Sequence, residues 1–350
     1  MIPSEHHEAA LPPQRSNATG CEDTIEAPEP LPAISASIYC HGFVDELLRE
    51  AVHPFWKGVK ATFPCSCLWV VRYDRGGQHL KIRLHVPARA HAALERRLEE
   101  AVERFFAGLP AVAGEGRDAA THLPPVDLED HAEELRPDRS LIWTKYRYFP
   151  ELIGAGPLSA APGFEAAWIR CRAVATEAAL DWLDGFEGVK ISVQKRMYFG
   201  LQLLLAAVYG VHPRVETRAR YLAFQRDWLL RVSRDRDQAL ALLERKANAL
   251  PEQLTALHPL VVAASSQAVA LDGWSYAVRD LVRFCLDQLG RQDLADLEEA
   301  SGELIYLALS RAVHNALNPI ALGVSNEAYI CHLLRSALTR VQPDGGSVVV

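Results

Sequence analysis

The chain has 350 residues, 49% of them hydrophobic and 23% charged, enough to bury a full core in one large domain or two small ones. A net charge of -7 argues against a nucleic-acid binder of the usual basic kind. Seven scattered cysteines (Cys21, Cys40, Cys65, Cys67, Cys171, Cys285, Cys331) fit free thiols in a reducing cytoplasm better than a disulfide framework.

Residues 1 to about 34 are rich in Pro, Glu, Ala and Ser without periodicity and read as a disordered tail; residues 342–350 read as a second tail. The start lacks a basic region followed by an apolar run, so no export signal is read. From Ile38 to His53, the residues Phe43, Leu47, Leu48 and Val52 recur at helical spacing, predicting a helix that stops before Pro54. Two β-rich runs then flank Asp74-Arg75-Gly76-Gly77, the pattern of a hairpin. In the second run Leu80, Ile82, Leu84 and Val86 share one face, while His79, Lys81, Arg83 and His85 share the other. That second row suits an anionic or carbonyl-bearing ligand, and it equally suits a solvated sheet face; periodicity leaves both open.

Pro87 opens a helix whose stripe is Ala90, Leu94, Leu98, Val102 and Phe105. Leu109 to Pro137 reads as a loop, and the aromatic run from Leu141 to Phe149 as a strand. Helices are predicted over Gly163–Leu183, Ser192–Tyr209, Val215–Ser233, Asp235–Ala247, Trp274–Leu289, Leu294–Leu317 and Asn326–Thr339. The most apolar stretch, Tyr198 to Val211, is too short to span a bilayer and reads as a buried helix, so a soluble cytoplasmic protein is expected. The expected architecture is α+β: a small, mostly antiparallel sheet near the N-terminus packed with a large helical portion, residues 35–341 forming one domain.

Three blocks carry more than periodicity. They are WVVRYDRGGQHLKIRL (Trp69–Leu84), YFPELIGAGP (Tyr148–Pro157) and HNALNPIALGVSNEAYICHLLRSAL (His314–Leu338). In order and spacing they resemble the C-terminal, glutamate-eliminating domain of lantibiotic dehydratases, which also occurs alone in thiopeptide-type bacteriocin biosynthesis. The resemblance implies a pocket that removes glutamate from a glutamylated Ser or Thr of a precursor peptide, leaving a dehydroamino acid. It implies Lys81, Arg83, Glu151 and His314 as catalytic residues, with His79, His85, Tyr146 and Tyr148 contacting substrate. A precursor peptide and a separate glutamylating or cyclodehydrating enzyme are the implied partners; no small-molecule cofactor and no metal are implied.

The residue types suit that chemistry. β-Elimination needs a base for the α-proton, an electrophile for the enolate-like oxygen and a partner for the leaving carboxylate. A His near neutrality moves the proton, and Lys81 and Arg83 hold the developing negative charge. Glu151 is placed to orient His314 or a cation, or else it is a surface carboxylate. Three departures are visible. Lys81 stands where the family usually has Arg, Gly154 replaces the arginine of the second block, and Pro319 that of the third. The same scaffold appears in thiopeptide pyridine synthases, which join two dehydroalanines by a formal 4+2 cycloaddition and expel the leader. The missing guanidinium groups fit that reading, with Trp143, Tyr146 and Tyr148 as stacking surfaces or as filling of the sheet core. A third reading is a leader-binding partner without catalysis. All three allow strand addition at an exposed sheet edge.

Other signals are weaker. Cys65-x-Cys67 with Cys40-His41 lacks a second pair at zinc-finger spacing. The basic segment from Arg214 to Arg236 reads as a solvated helical face, or as a surface for an acidic leader peptide.

Overall fold

Ile34, Ala36 and Ile38 alternate with Ser35, Ser37 and Tyr39, a period of two that suits a strand covered on both faces. In a computed structural model, which describes residues 31–73, 77–110, 137–145, 147–148, 153–211, 214–231, 236–248, 272–294 and 299–340, this stretch is β1 (Ala33–Tyr39). It pairs antiparallel with β3 (His79–His85) on one side and β4 (Ser140–Thr144) on the other. With β2 (Cys67–Tyr73) the sheet order is β2-β3-β1-β4. Part of the segment expected to be helical from Ile38 is therefore a central strand. Gly77 closes the β2–β3 connection at a φ of +106°, and a Cβ there would meet the His41 ring at 2.5 Å, so only glycine fits.

The helix α1 that follows is built of Val44–Leu47, a π-helical turn over Leu48–Val52, and His53–Thr62. It runs straight through Pro54 instead of stopping before it. Proline removes one backbone donor and crowds the preceding turn, and the wider π turn directly upstream relieves that crowding. One face of α1 (Leu47, Leu48, Val52, Trp56, Val59) packs with the stripe Leu94, Leu98, Val102 and Phe105 of α2 (His91–Gly108). Both cover the apolar face of the sheet, formed by Ile34, Ala36, Ile38, Leu68, Val70, Leu80, Ile82 and Leu84.

The remaining elements are helical: α3 (Phe164–Asp184), α4 (Val193–Val211), α5 (Val215–Leu230), α6 (Arg236–Asn248), α7 (Asp272–Gln288), α8 (Glu299–Leu317) and α9 (Val324–Arg340). They enclose a second core around Phe164, Trp168, Leu204, Tyr221, Trp274, Leu309 and Leu334. Helix α3 belongs to both cores. Its earlier turns (Ala167, Cys171, Ala175) face the helical core, while Leu180 and Leu183 enter the core beneath the sheet. The α+β architecture expected from the sequence is what the chain adopts. Among the described residues no helix is long and apolar enough to cross a membrane.

Edge strand β2 is sealed by side chains. The Thr176 hydroxyl of α3 accepts from the Val70 N–H at 3.4 Å. The Asn318 carboxamide accepts from the Arg72 N–H at 2.5 Å and donates to the Arg72 carbonyl at 3.2 Å. An edge covered in this way has no free ladder to offer a further strand along those residues.

Candidate active site

The strand register assembles the second face of the sheet. Lys81 lies across from Ser37 and Val71, Arg83 from Ser35 and Trp69, and His79 from Tyr39 and Tyr73. His79, Lys81, Arg83 and His85 are all buried, at 1%, 5%, 8% and 2% exposure. The row is therefore interior, and the solvated-face reading is corrected: both faces of the sheet are covered. The cations find aromatic surfaces there. The Arg83 guanidinium sits 4.4 Å from the Trp69 ring centre, the Arg172 guanidinium of α3 sits 3.5 Å from the same ring, and the Lys81 ammonium sits 5.5 Å from Tyr73. His79 stacks on Tyr39 and Tyr73, with centroids at 4.5 and 5.3 Å, and its Nδ1 donates to the Gly77 carbonyl. His85 Nδ1 donates to the Leu31 carbonyl at 2.9 Å. Burial, reinforced by the charges of Arg83 and Arg172, pushes the His85 pKa down.

His314 lies near the end of α8, and its Nδ1 is 3.0 Å from both carboxylate oxygens of Glu327 in the first turn of α9. Glu327 is fully buried, and burial raises its pKa even though His314 pulls the other way. A buried carboxylate and an imidazole at this distance share one proton. Trp228 packs edge-on against the imidazole at 5.9 Å.

His314 forms part of the wall of a cleft of about 940 Å³, together with Asp45, Arg72, Tyr73, His79 and Arg196. Of the predicted row, His79 borders this cleft with His314, whereas Lys81, Arg83 and His85 are not among its lining residues. Lys81 stands one residue pair behind, over the Tyr73 ring that forms part of the wall. Arg83 lies a further pair back on the same face.

Two arginines that were not anticipated approach the cleft floor. Arg72 donates through Nε to the Pro319 carbonyl at 2.8 Å and through Nη2 to Asp45 at 2.5 Å. Arg196 of α4 donates to the Ile320 carbonyl at 2.6 Å and to both Asp45 oxygens. Burial alone would raise the Asp45 pKa, but the two guanidinium groups override it and hold the carboxyl below its ordinary value. Arg72 and Glu327 lie inside the blocks that prompted the family resemblance. Asp45 and Arg196 carry no local signal, because they meet only through the fold.

Glu151 and Tyr146 lie outside the described residues. Tyr148 packs against the helical core and donates to the Ser159 carbonyl at 2.8 Å. Trp143 packs on the apolar side of the sheet, away from the cation row, and donates to Glu99 at 2.7 Å, so this aromatic fills core. Gly154 has a φ of +70°, and a Cβ there would sit 3.2 Å from Leu307, a strained position for any larger side chain. The basic segment is only partly a solvated face: Arg218 and Arg226 are buried, the former 3.7 Å from the Tyr209 ring and the latter paired with Asp227.

Residues 34–154 match the family described as lantibiotic biosynthesis dehydratase, C-terminal. Among solved structures, the chain is similar to the pyridine synthase TbtD from thiomuracin biosynthesis, with a TM-score of 0.60 at 16% identity over 89% of this chain and 98% of that one. It is also similar to the tRNA-dependent lantibiotic dehydratase MibB from Microbispora sp. 107891, with a TM-score of 0.50 at 15% identity. That match covers 95% of this chain and 29% of MibB. No curated protein sequence matches. The resemblance is borne out over residues 34–154, which hold the first block and most of the second; the third block, His314–Leu338, lies outside that match. Over 89% of this chain the fold is similar to that of TbtD, and over 95% to that of a segment of MibB.

Proposed function

We propose that the chain tailors a ribosomally made precursor peptide by proton-transfer chemistry at His314. The observation that carries this reading is the imidazole of His314, held by a buried carboxylate at the wall of a cleft large enough for a peptide segment. In the first form of the reaction, glutamate leaves from a glutamylated Ser or Thr. His314, with its other nitrogen fixed by Glu327, moves the α-proton, and general acid–base catalysis of this kind contributes roughly 10²–10⁴-fold. Lys81 and Arg83 supply the positive field that favours the enolate-like oxygen and the departing carboxylate. Glu151 remains a proposed partner of one of these groups.

The second form is pyridine synthesis by formal 4+2 cycloaddition of two dehydroalanines with leader loss. It is favoured by the departures at Gly154 and Pro319: neither offers a guanidinium, and the Pro319 carbonyl is itself taken by Arg72. TbtD, similar over nearly its whole length, is named a pyridine synthase. Precursor peptides resolve the two by mass spectrometry. A glutamylated precursor loses glutamate in the first case; a dehydrated, azole-bearing precursor loses its leader in the second. His314→Ala should abolish either conversion. Measurable leader affinity with both peptides unchanged would overturn the catalytic reading and leave a binding partner.

A further inference from the structure

Helices α8 and α9 each supply one member of the His314–Glu327 pair, and the segment between them is short: the 3₁₀ turn Asn318–Ile320, then Ala321 to Gly323. A helix C-terminus leaves carbonyls without partners, and a glycine in left-handed conformation is a common solution. Here Ala321 takes that conformation, at φ 54° and ψ 39°, although it has a Cβ. Such a turn persists only where its surroundings hold it.

The surroundings hold three consecutive residues. The Asn318 carboxamide grips both the N–H and the carbonyl of Arg72, acting as a one-residue strand partner to β2. The Pro319 carbonyl accepts from the Arg72 side chain, and the Ile320 carbonyl from Arg196. Asp45 at the start of α1 ties the two guanidinium groups together. Strand β2, helix α1 and helix α4 are thereby fastened to one turn. Asn318 follows His314 by four residues, just past the end of the helix that carries the imidazole, and both border the same cleft.

We infer that Asn318 is a positioning residue for the His314–Glu327 pair, acting through the clamp formed by Arg72, Asp45 and Arg196. The inference rests on reading His314 as the proton-transfer group, but its first test needs no substrate. Nitrogen-15 NMR of the imidazole in the free protein reports both the proton on Nδ1 and the titration of His314. Asn318→Ala should move the His314 signals and titration towards those of Glu327→Gln. In the Glu327→Gln background the same substitution should have little further effect, because neighbours in one network are not additive. Turnover, where a peptide is converted, should fall by roughly 10²-fold in kcat, the size expected of a misplacement of about 1 Å, with a smaller change in KM.

Arg196→Lys retains a charge for Asp45 but has fewer donors to share with the Ile320 carbonyl, and it serves if Asn318→Ala does not fold. Unchanged His314 signals in whichever of these variants folds would overturn the inference. Shifted signals in a protein that converts no peptide would sustain it while overturning the catalytic reading.

Discussion

At the residue scale, Glu327 is the carboxyl whose protonation the fold displaces upward by burial beside the candidate site. Burial holds its folded pKa above the ordinary value of 4.5, with His314 opposing. A raised carboxyl binds its proton more tightly in the folded state. Its contribution to stability is therefore fully present below pH 4.5 and is lost as the pH rises through the folded value. Glu327→Gln removes that dependence. Guanidinium denaturation should find wild type losing stability relative to this variant as pH rises above 4.5; parallel curves would remove Glu327 from the titrating pair. Asp45 has the opposite sign. Its pKa lies below 3.8, so its contribution is present above 3.8 and is lost only as pH falls through the lower folded value.

At the scale of elements, the sealed edge of β2 makes a direct prediction. Thr176→Val keeps the shape but leaves the Val70 N–H buried without its acceptor. The expected loss is about 1 kcal/mol, seen as a lower denaturation midpoint with an unchanged m-value. No change in midpoint would mean that this long contact contributes nothing. The hairpin strands and the helices from Phe164 onwards were legible because their apolar spacing holds over enough residues to separate a period of two from one of 3.6. Strand β1 was not. Its Ile38 falls at a plausible helical spacing from the residues of α1, and a short apolar run does not declare its own period. Pro54 misled for a different reason, since a π turn that accommodates a proline leaves no trace in the sequence. At the candidate site, the third block drew attention to His314, which lines the cleft. Glu327 stood in the same block without a role, because the turn that brings it back to His314 depends on Arg72 and Arg196 from elsewhere in the chain.

For the molecule as a whole, the two cores meet along α3. We propose that they unfold as one unit, the single domain expected from the sequence. Leu180 sits where the helix passes into the core beneath the sheet, and it is fully buried. Leu180→Ala should cost about 2–5 kcal/mol and shift one cooperative transition monitored by Trp fluorescence and circular dichroism alike. Two separated transitions would show that the cores are independent. The joint is also polar at its surface: His53 of α1 is 3.1 Å from Asp181 and 3.5 Å from Asp184 of α3, and Lys57 reaches Asp184 at 3.1 Å. The π turn over Leu48–Val52 lies between His53 at this joint and Asp45 at the cleft floor. Rewinding that turn to ordinary pitch with all five of its residues kept would add about one residue's worth of rotation and swing the helix start by about 100° about its axis. The carboxylate of Asp45 would then face away from both arginines, so the aim of a side chain in the cleft is set by one surplus residue in the backbone several positions downstream.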